Sequence, residues 1–118
     1  MLVSDYYAIP QSLIFLVILQ LMNIEQLLKS STAETFQALF GVEVAEASIT
    51  INITKKEFEG DYTVVTFPLI KFSKKSPEET GRLIGEALKE KLDIIAGFNV
   101  VKGFLNISFT DRFWVERL

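Results

Sequence analysis

Residues 48–67 read SITINITKKEFEGDYTVVTF. Ile49, Ile51 and Ile53 alternate with Ser48, Thr50, Asn52 and Thr54, a period of two that buries one strand face and leaves the other wet. Lys55 through Gly60 form a polar turn. The following DYTVVTF is rich in β-branched and aromatic residues, so it predicts a return strand and a hairpin. An isolated hairpin is at best marginally stable, so this one needs partners elsewhere in the chain. A second hairpin is predicted downstream, from residues 98–101 and 104–110 around the two-residue turn Lys102-Gly103.

Apolar residues at helical spacing flank and separate the two hairpins. Asn23 is placed to cap a helix, Gln26 stands three positions later, and Ile24, Leu27, Leu28, Phe36 and Leu39 mark its apolar face up to Gly41. After Pro68, residues Leu69, Ile70 and Phe72 predict a short helical turn beneath the basic patch Lys71, Lys74 and Lys75. Ser76-Pro77-Glu78-Glu79 combines an N-cap, a proline at the first helical position and a capping-box glutamate. Leu83, Ile84, Ala87, Leu88 and Leu92 then form the stripe of a second amphipathic helix. Gly81 and Gly85 each cost that helix about 1 kcal/mol against alanine, which predicts close packing on a sheet. Asp111 is expected to cap a final helix containing Phe113, Trp114 and Leu118. The order α-β-β-α-β-β predicts a two-layer α+β fold: a four-stranded antiparallel sheet covered on one face by two helices, with a C-terminal linking helix.

The chain has 118 residues, 49% hydrophobic and 23% charged, which suits one compact domain. It has no cysteine and no histidine. That excludes disulfides, thiolate zinc sites and the Ser-His-Asp and Cys-His mechanisms, and no metal-ligating set is predicted. With 12 basic and 15 acidic residues the net charge is −3, so any contact with a polyanion must be local. Residues 13–19 (LIFLVIL) are too short for a spanning helix and lack the flanks of a signal peptide. Residues 1–21 are therefore expected to be an extension outside the domain, 22–110 the domain, and 111–118 the start of a helix leading into a further domain. The expected setting is cytoplasmic, without a membrane. A protein-interaction module using the hydrophobic segment as an anchor is a competing reading.

Residues 102–109 (KGFLNISF) carry the sharpest functional signal. Alternation sends Leu105, Ile107 and Phe109 to the core, and Phe104, Asn106 and Ser108 to the opposite face, where Phe104 and Asn106 are expected to be exposed to solvent. There a ring can stack on a splayed-out base and an amide can read its edge. Lys55, Lys56, Lys71, Lys74, Lys75 and Lys102 are candidates for a phosphate track. Lys102, Gly103, Phe104 and Phe109 partly match the RNP1 signature of RNA-recognition motifs, while Leu105 and Asn106 depart from it. An independent single-stranded RNA binder is thus the alternative reading.

A broader resemblance runs from Met22 onward. The opening MNIEQLL, Gly60-Asp61-Tyr62 with FPLIK soon after, the SPEETGRLIGEAL helix and the GFLNISF strand resemble, in order and spacing, the N-terminal additional domain of arginyl-tRNA synthetase. The resemblance implies the same α-β-β-α-β-β arrangement and a position ahead of a catalytic domain in the same polypeptide. It implies contact with the D-loop of tRNA(Arg), with the family's aromatic falling on Phe104 and its amide on Asn106. Arginyl-tRNA aminoacylation, with ATP and magnesium, is implied for the parent enzyme and not for this segment. The chain departs from the family at Val101-Lys102-Gly103, where members commonly have Gly-Pro-Gly, and at Val65, where many place asparagine.

Overall fold

The fold is that of a computed structural model in which residues 10–14 and 24–113 are described. Helix α1 spans Ile24–Phe40 and is followed by a 3-10 turn, Glu46–Ser48. Strands β1 (Thr50–Ile53) and β2 (Tyr62–Val65) form the first hairpin. A 3-10 turn at Phe67–Leu69 runs into the short helix α2, Ile70–Ser73, and then into helix α3, Pro77–Lys91. Strands β3 (Ile95–Val101) and β4 (Phe104–Phe109) form the second hairpin. The sheet order is β1-β2-β4-β3, antiparallel throughout, so β2 and β4 join the two hairpins side by side. The predicted α+β architecture is the one observed.

Helices α1 and α3 pack on one face of the sheet and on each other. The core between the layers takes Leu28 and Phe36 from α1, Ile84 and Leu88 from α3, and Ile51, Val64, Leu105 and Ile107 from the strands. The expected close approach is present at both α3 glycines. A Cβ at Gly85 would lie 2.6 Å from the ring of Phe98, and one at Gly81 would lie 2.9 Å from Val100. Gly97 lies opposite Ser108 beside a bulge that shifts the β3 register near Ile95.

The predicted start of α3 is also observed, since the Ser76 hydroxyl accepts from the Glu79 N–H at 3.1 Å and Pro77 opens the helix. The Glu79 side chain differs from the capping-box expectation. Its carboxylate is held by Arg82, 2.7 Å away, and that hydrogen bond lowers its pKa from the ordinary glutamate value. Two further differences have simple causes. Leu39 is 42% exposed, because the last turn of α1 meets the core through Phe36 and Phe40 instead. At the end of β4 the cap is Thr110 rather than Asp111: the Thr110 hydroxyl accepts from the Phe113 N–H at 3.1 Å. Phe113 is buried with its ring 4.8 Å from that of Phe109. The Asn23 cap, Trp114 and Leu118 lie outside the described residues. Among the described residues, no helix is long and apolar enough to cross a membrane.

Candidate nucleic-acid interface

The sheet face away from the helices is organised in rows that follow the strand register. Asn52, Thr63, Asn106 and Asn99 stand opposite one another across all four strands. The next row is Thr50, Val65, Phe104 and Val101. Phe104 and Asn106 therefore share the uncovered side of β4, as strand alternation predicts.

Their environments differ sharply. Phe104 is half-buried, whereas Asn106 is 1% exposed. The exposed amide expected from the sequence is thus corrected, and the cover is the β1–β2 connection rather than a helix. That connection folds back across the polar row at Gly60, whose backbone has a φ of +145°. A Cβ at Gly60 would lie 3.0 Å from the Asn106 Cβ, so both the conformation and the space require glycine.

Hydrogen bonds tie this connection to the sheet in one direction. The Asn99 amide donates to the Glu59 carbonyl at 2.7 Å, and the Asn106 amide donates to the Asn99 side-chain oxygen at 3.0 Å. The Asn106 oxygen accepts from the Thr63 hydroxyl at 2.6 Å. Having given its hydrogen to Asn106, Thr63 must accept from Thr54 across their 2.8 Å contact. The two ends of the chain of bonds, Glu59 and Thr54, lie at the two ends of the connection. Asp61 adds a further tie, accepting from the Phe109 N–H at 2.8 Å. Gly60, Asp61 and Tyr62 thus act structurally, with the Tyr62 ring 5.9 Å from that of Phe109.

Beside this network lies a pocket of about 60 Å³, room for a few waters or the edge of a base. Ile53, Phe58 and Phe104 supply apolar lining, Thr63 and Asn106 polar lining, and Lys55 a cation. Ile53 is 75% exposed, because β1 ends at the sheet edge, so the third isoleucine of the alternating run does not enter the core. Asn106 uses one amide hydrogen on Asn99, and its second is not engaged by the bonds described.

Lys102 occupies the tip of the β3–β4 turn, with φ +50° there and +82° at Gly103, the paired left-handed conformation of a type I′ turn. It is exposed and, among the described residues, forms no ion pair. Lys55, Lys56, Lys71, Lys74 and Lys75 are also exposed. Lys71 lies over the ring of Phe72, 5.0 Å from its centroid. Two contributors to this face are not singled out by the sequence reading. Asn99 follows from counting two residues back from the Val101–Phe104 pair flanking the turn. Phe67 carries no such signal: Thr66 has helical backbone angles, so strand alternation ends at Val65 and Phe67 opens the 3-10 turn.

The architecture defines a class: a two-layer α+β domain that covers one sheet face with helices and keeps the other for aromatic, amide and basic side chains. Residues 22–109 match the family described as the arginyl tRNA synthetase N terminal domain. The chain belongs to this family. It is 46% identical over 97 residues to an arginine–tRNA ligase of Bacteroides thetaiotaomicron. It is 38% identical over 94 residues to one of Amoebophilus asiaticus. These alignments cover 82% and 80% of the chain respectively, and the chain spans about 16% of the length of either relative. A solved Thermus thermophilus arginyl-tRNA synthetase has the same fold with a TM-score of 0.64 at 22% identity, over 77% of this chain and 15% of that one.

Proposed function

We propose that the chain is the tRNA-binding N-terminal module of an arginine–tRNA ligase, and that it contacts the D-loop of tRNA(Arg). The observation that carries this reading is that the ring of Phe104, the buried amide of Asn106 and Lys55 line one pocket on the helix-free face of a domain in this family. Phe104 stacks on a D-loop base whose edge enters the pocket. The second amide hydrogen of Asn106 bonds to that edge, and Lys102 meets a neighbouring phosphate. Lysine at a left-handed turn position costs roughly 1 kcal/mol more than asparagine or glycine would, a cost in keeping with a functional cation there.

The catalytic domain of the same polypeptide would join arginine to its tRNA with ATP. Among the described residues, no group of three acidic side chains is arranged to hold a metal ion, and no glycine-rich phosphate loop occurs. On this reading ATP and magnesium belong to the catalytic domain, and the module's part is to hold tRNA. Residues 22–110 would form the module, with 111–118 leading on to the catalytic domain and 1–21 lying outside both, in a cytoplasmic enzyme.

The test is aminoacylation by the parent enzyme carrying Phe104→Ala. The expected result is a higher KM for tRNA(Arg), equivalent to a loss of ~1–3 kcal/mol, with kcat and the KM for arginine unchanged. An unchanged KM for tRNA would overturn the reading.

A further inference from the structure

Phe67 is 46% exposed, although it follows directly on a buried threonine. Its ring meets that of Phe104 with 5.8 Å between centroids and 75° between planes. The position of this ring is set by backbone rather than by burial. The N–H and hydroxyl of Thr66 both donate to the Gly103 carbonyl, at 3.2 Å and 2.5 Å. Gly103 in turn sits so close that a Cβ there would lie 3.0 Å from Phe67 Cζ and 2.7 Å from Pro77 Cβ. The contact with Pro77 brings the start of α3, with Lys75 two residues ahead of it, to the same end of the sheet as Lys102.

We propose that Phe67 is a second base-stacking residue. Together Phe67 and Phe104 accept two consecutive unpaired nucleotides whose bases are not stacked on each other. The proposal rests on the RNA-binding reading above and extends it from one nucleotide to a particular conformation of two. A base lies flat on the ring that binds it, so bases on two rings 75° apart are turned steeply away from each other. Neighbouring bases in a helical single strand are nearly parallel and cannot occupy both rings. A sharply bent loop can. The lysines at this end of the sheet then meet the phosphates crowded by the bend.

The probe is the D-arm hairpin of tRNA(Arg), compared with a linear oligonucleotide of the same loop sequence, each titrated into the 118-residue chain. Phe67→Leu is expected to weaken hairpin binding at least about five-fold, and Phe67→Trp to keep it within about two-fold. In a Trp114→Phe background the indole at position 67 is expected to be quenched at saturating hairpin. The hairpin is expected to bind more tightly than the linear strand. If Phe104→Leu weakens binding and Phe67→Leu does not, the single-nucleotide reading stands and this inference falls. If neither variant changes binding, or the unaltered chain does not bind the hairpin even at about 1 mM, above the range of weak non-specific contacts, the RNA-binding reading fails as well. If Phe67→Leu unfolds the chain, the quench decides, and an unquenched indole at saturation overturns the proposal. Equal affinity for the linear strand overturns the bent-loop requirement.

Discussion

Asn106 shows how the side chain proposed to read a base is also one that holds the fold together. Its oxygen accepts from Thr63 and its nitrogen donates to Asn99, so it is the central link between the β1–β2 connection and the sheet. Removing it leaves the buried Thr63 hydroxyl without its acceptor, at a cost on the order of 1–3 kcal/mol, while the partly buried Asn99 oxygen can turn to water. Asn106→Ala is therefore expected to lower stability by about 2 kcal/mol in urea denaturation. Amide exchange across residues 55–60 should accelerate at the same time. Phe104→Ala truncates a half-buried ring outside the network and should leave exchange in that connection unchanged. A connection that exchanges at the same rate in both variants would mean that the hydrogen-bonded chain does not hold it.

The element scale turns on the crossing of α3 over β3. Alanine at position 85 gains about 1 kcal/mol of helix propensity. Its Cβ, however, would lie 2.6 Å from the Phe98 ring, and overpacking of this kind costs typically 1–3 kcal/mol. Gly85→Ala is expected to destabilise the domain by about 1 kcal/mol net, while in a Phe98→Ala background the same change should stabilise it. Equal effects in both backgrounds, read from thermal unfolding, would refute the contact. This crossing was legible in the sequence, because Gly81 and Gly85 fall on one face of an otherwise strong helix, where a close neighbour offsets the propensity they lose. The strands were legible for a similar reason: alternation is a local signal. The pairing of β2 with β4 was not, since it depends on which hairpin edges meet, and residues some 40 positions apart carry no periodic trace of that meeting. The burial of Asn106 escaped for the same reason. Alternation correctly assigns the face, but a connecting loop that folds over the face is invisible to it.

At the scale of the whole molecule, a net charge of −3 and a face with scattered lysines do not make a strong RNA binder by themselves. Non-specific contacts of this kind hold nucleic acid at about 10⁻⁴–10⁻⁶ M. Physical linkage changes the arithmetic. In the proposed full-length ligase, where a catalytic domain would hold the tRNA, contact by a tethered module would be intramolecular and could raise overall affinity by about 10²–10⁴ without any contact being strong. Lys102 is well placed to contribute because its turn is already fixed by the Thr66–Gly103 bonds, so little ordering is needed on binding. Lys102→Ala is therefore expected to weaken tRNA binding uniformly across tRNA sequences and to reduce the slope of log affinity against log salt by about one. Filter binding by the parent enzyme across a range of potassium chloride concentrations measures that slope. An unchanged slope would place the phosphate contact on Lys74 or Lys75, across the Pro77–Gly103 contact from the same turn.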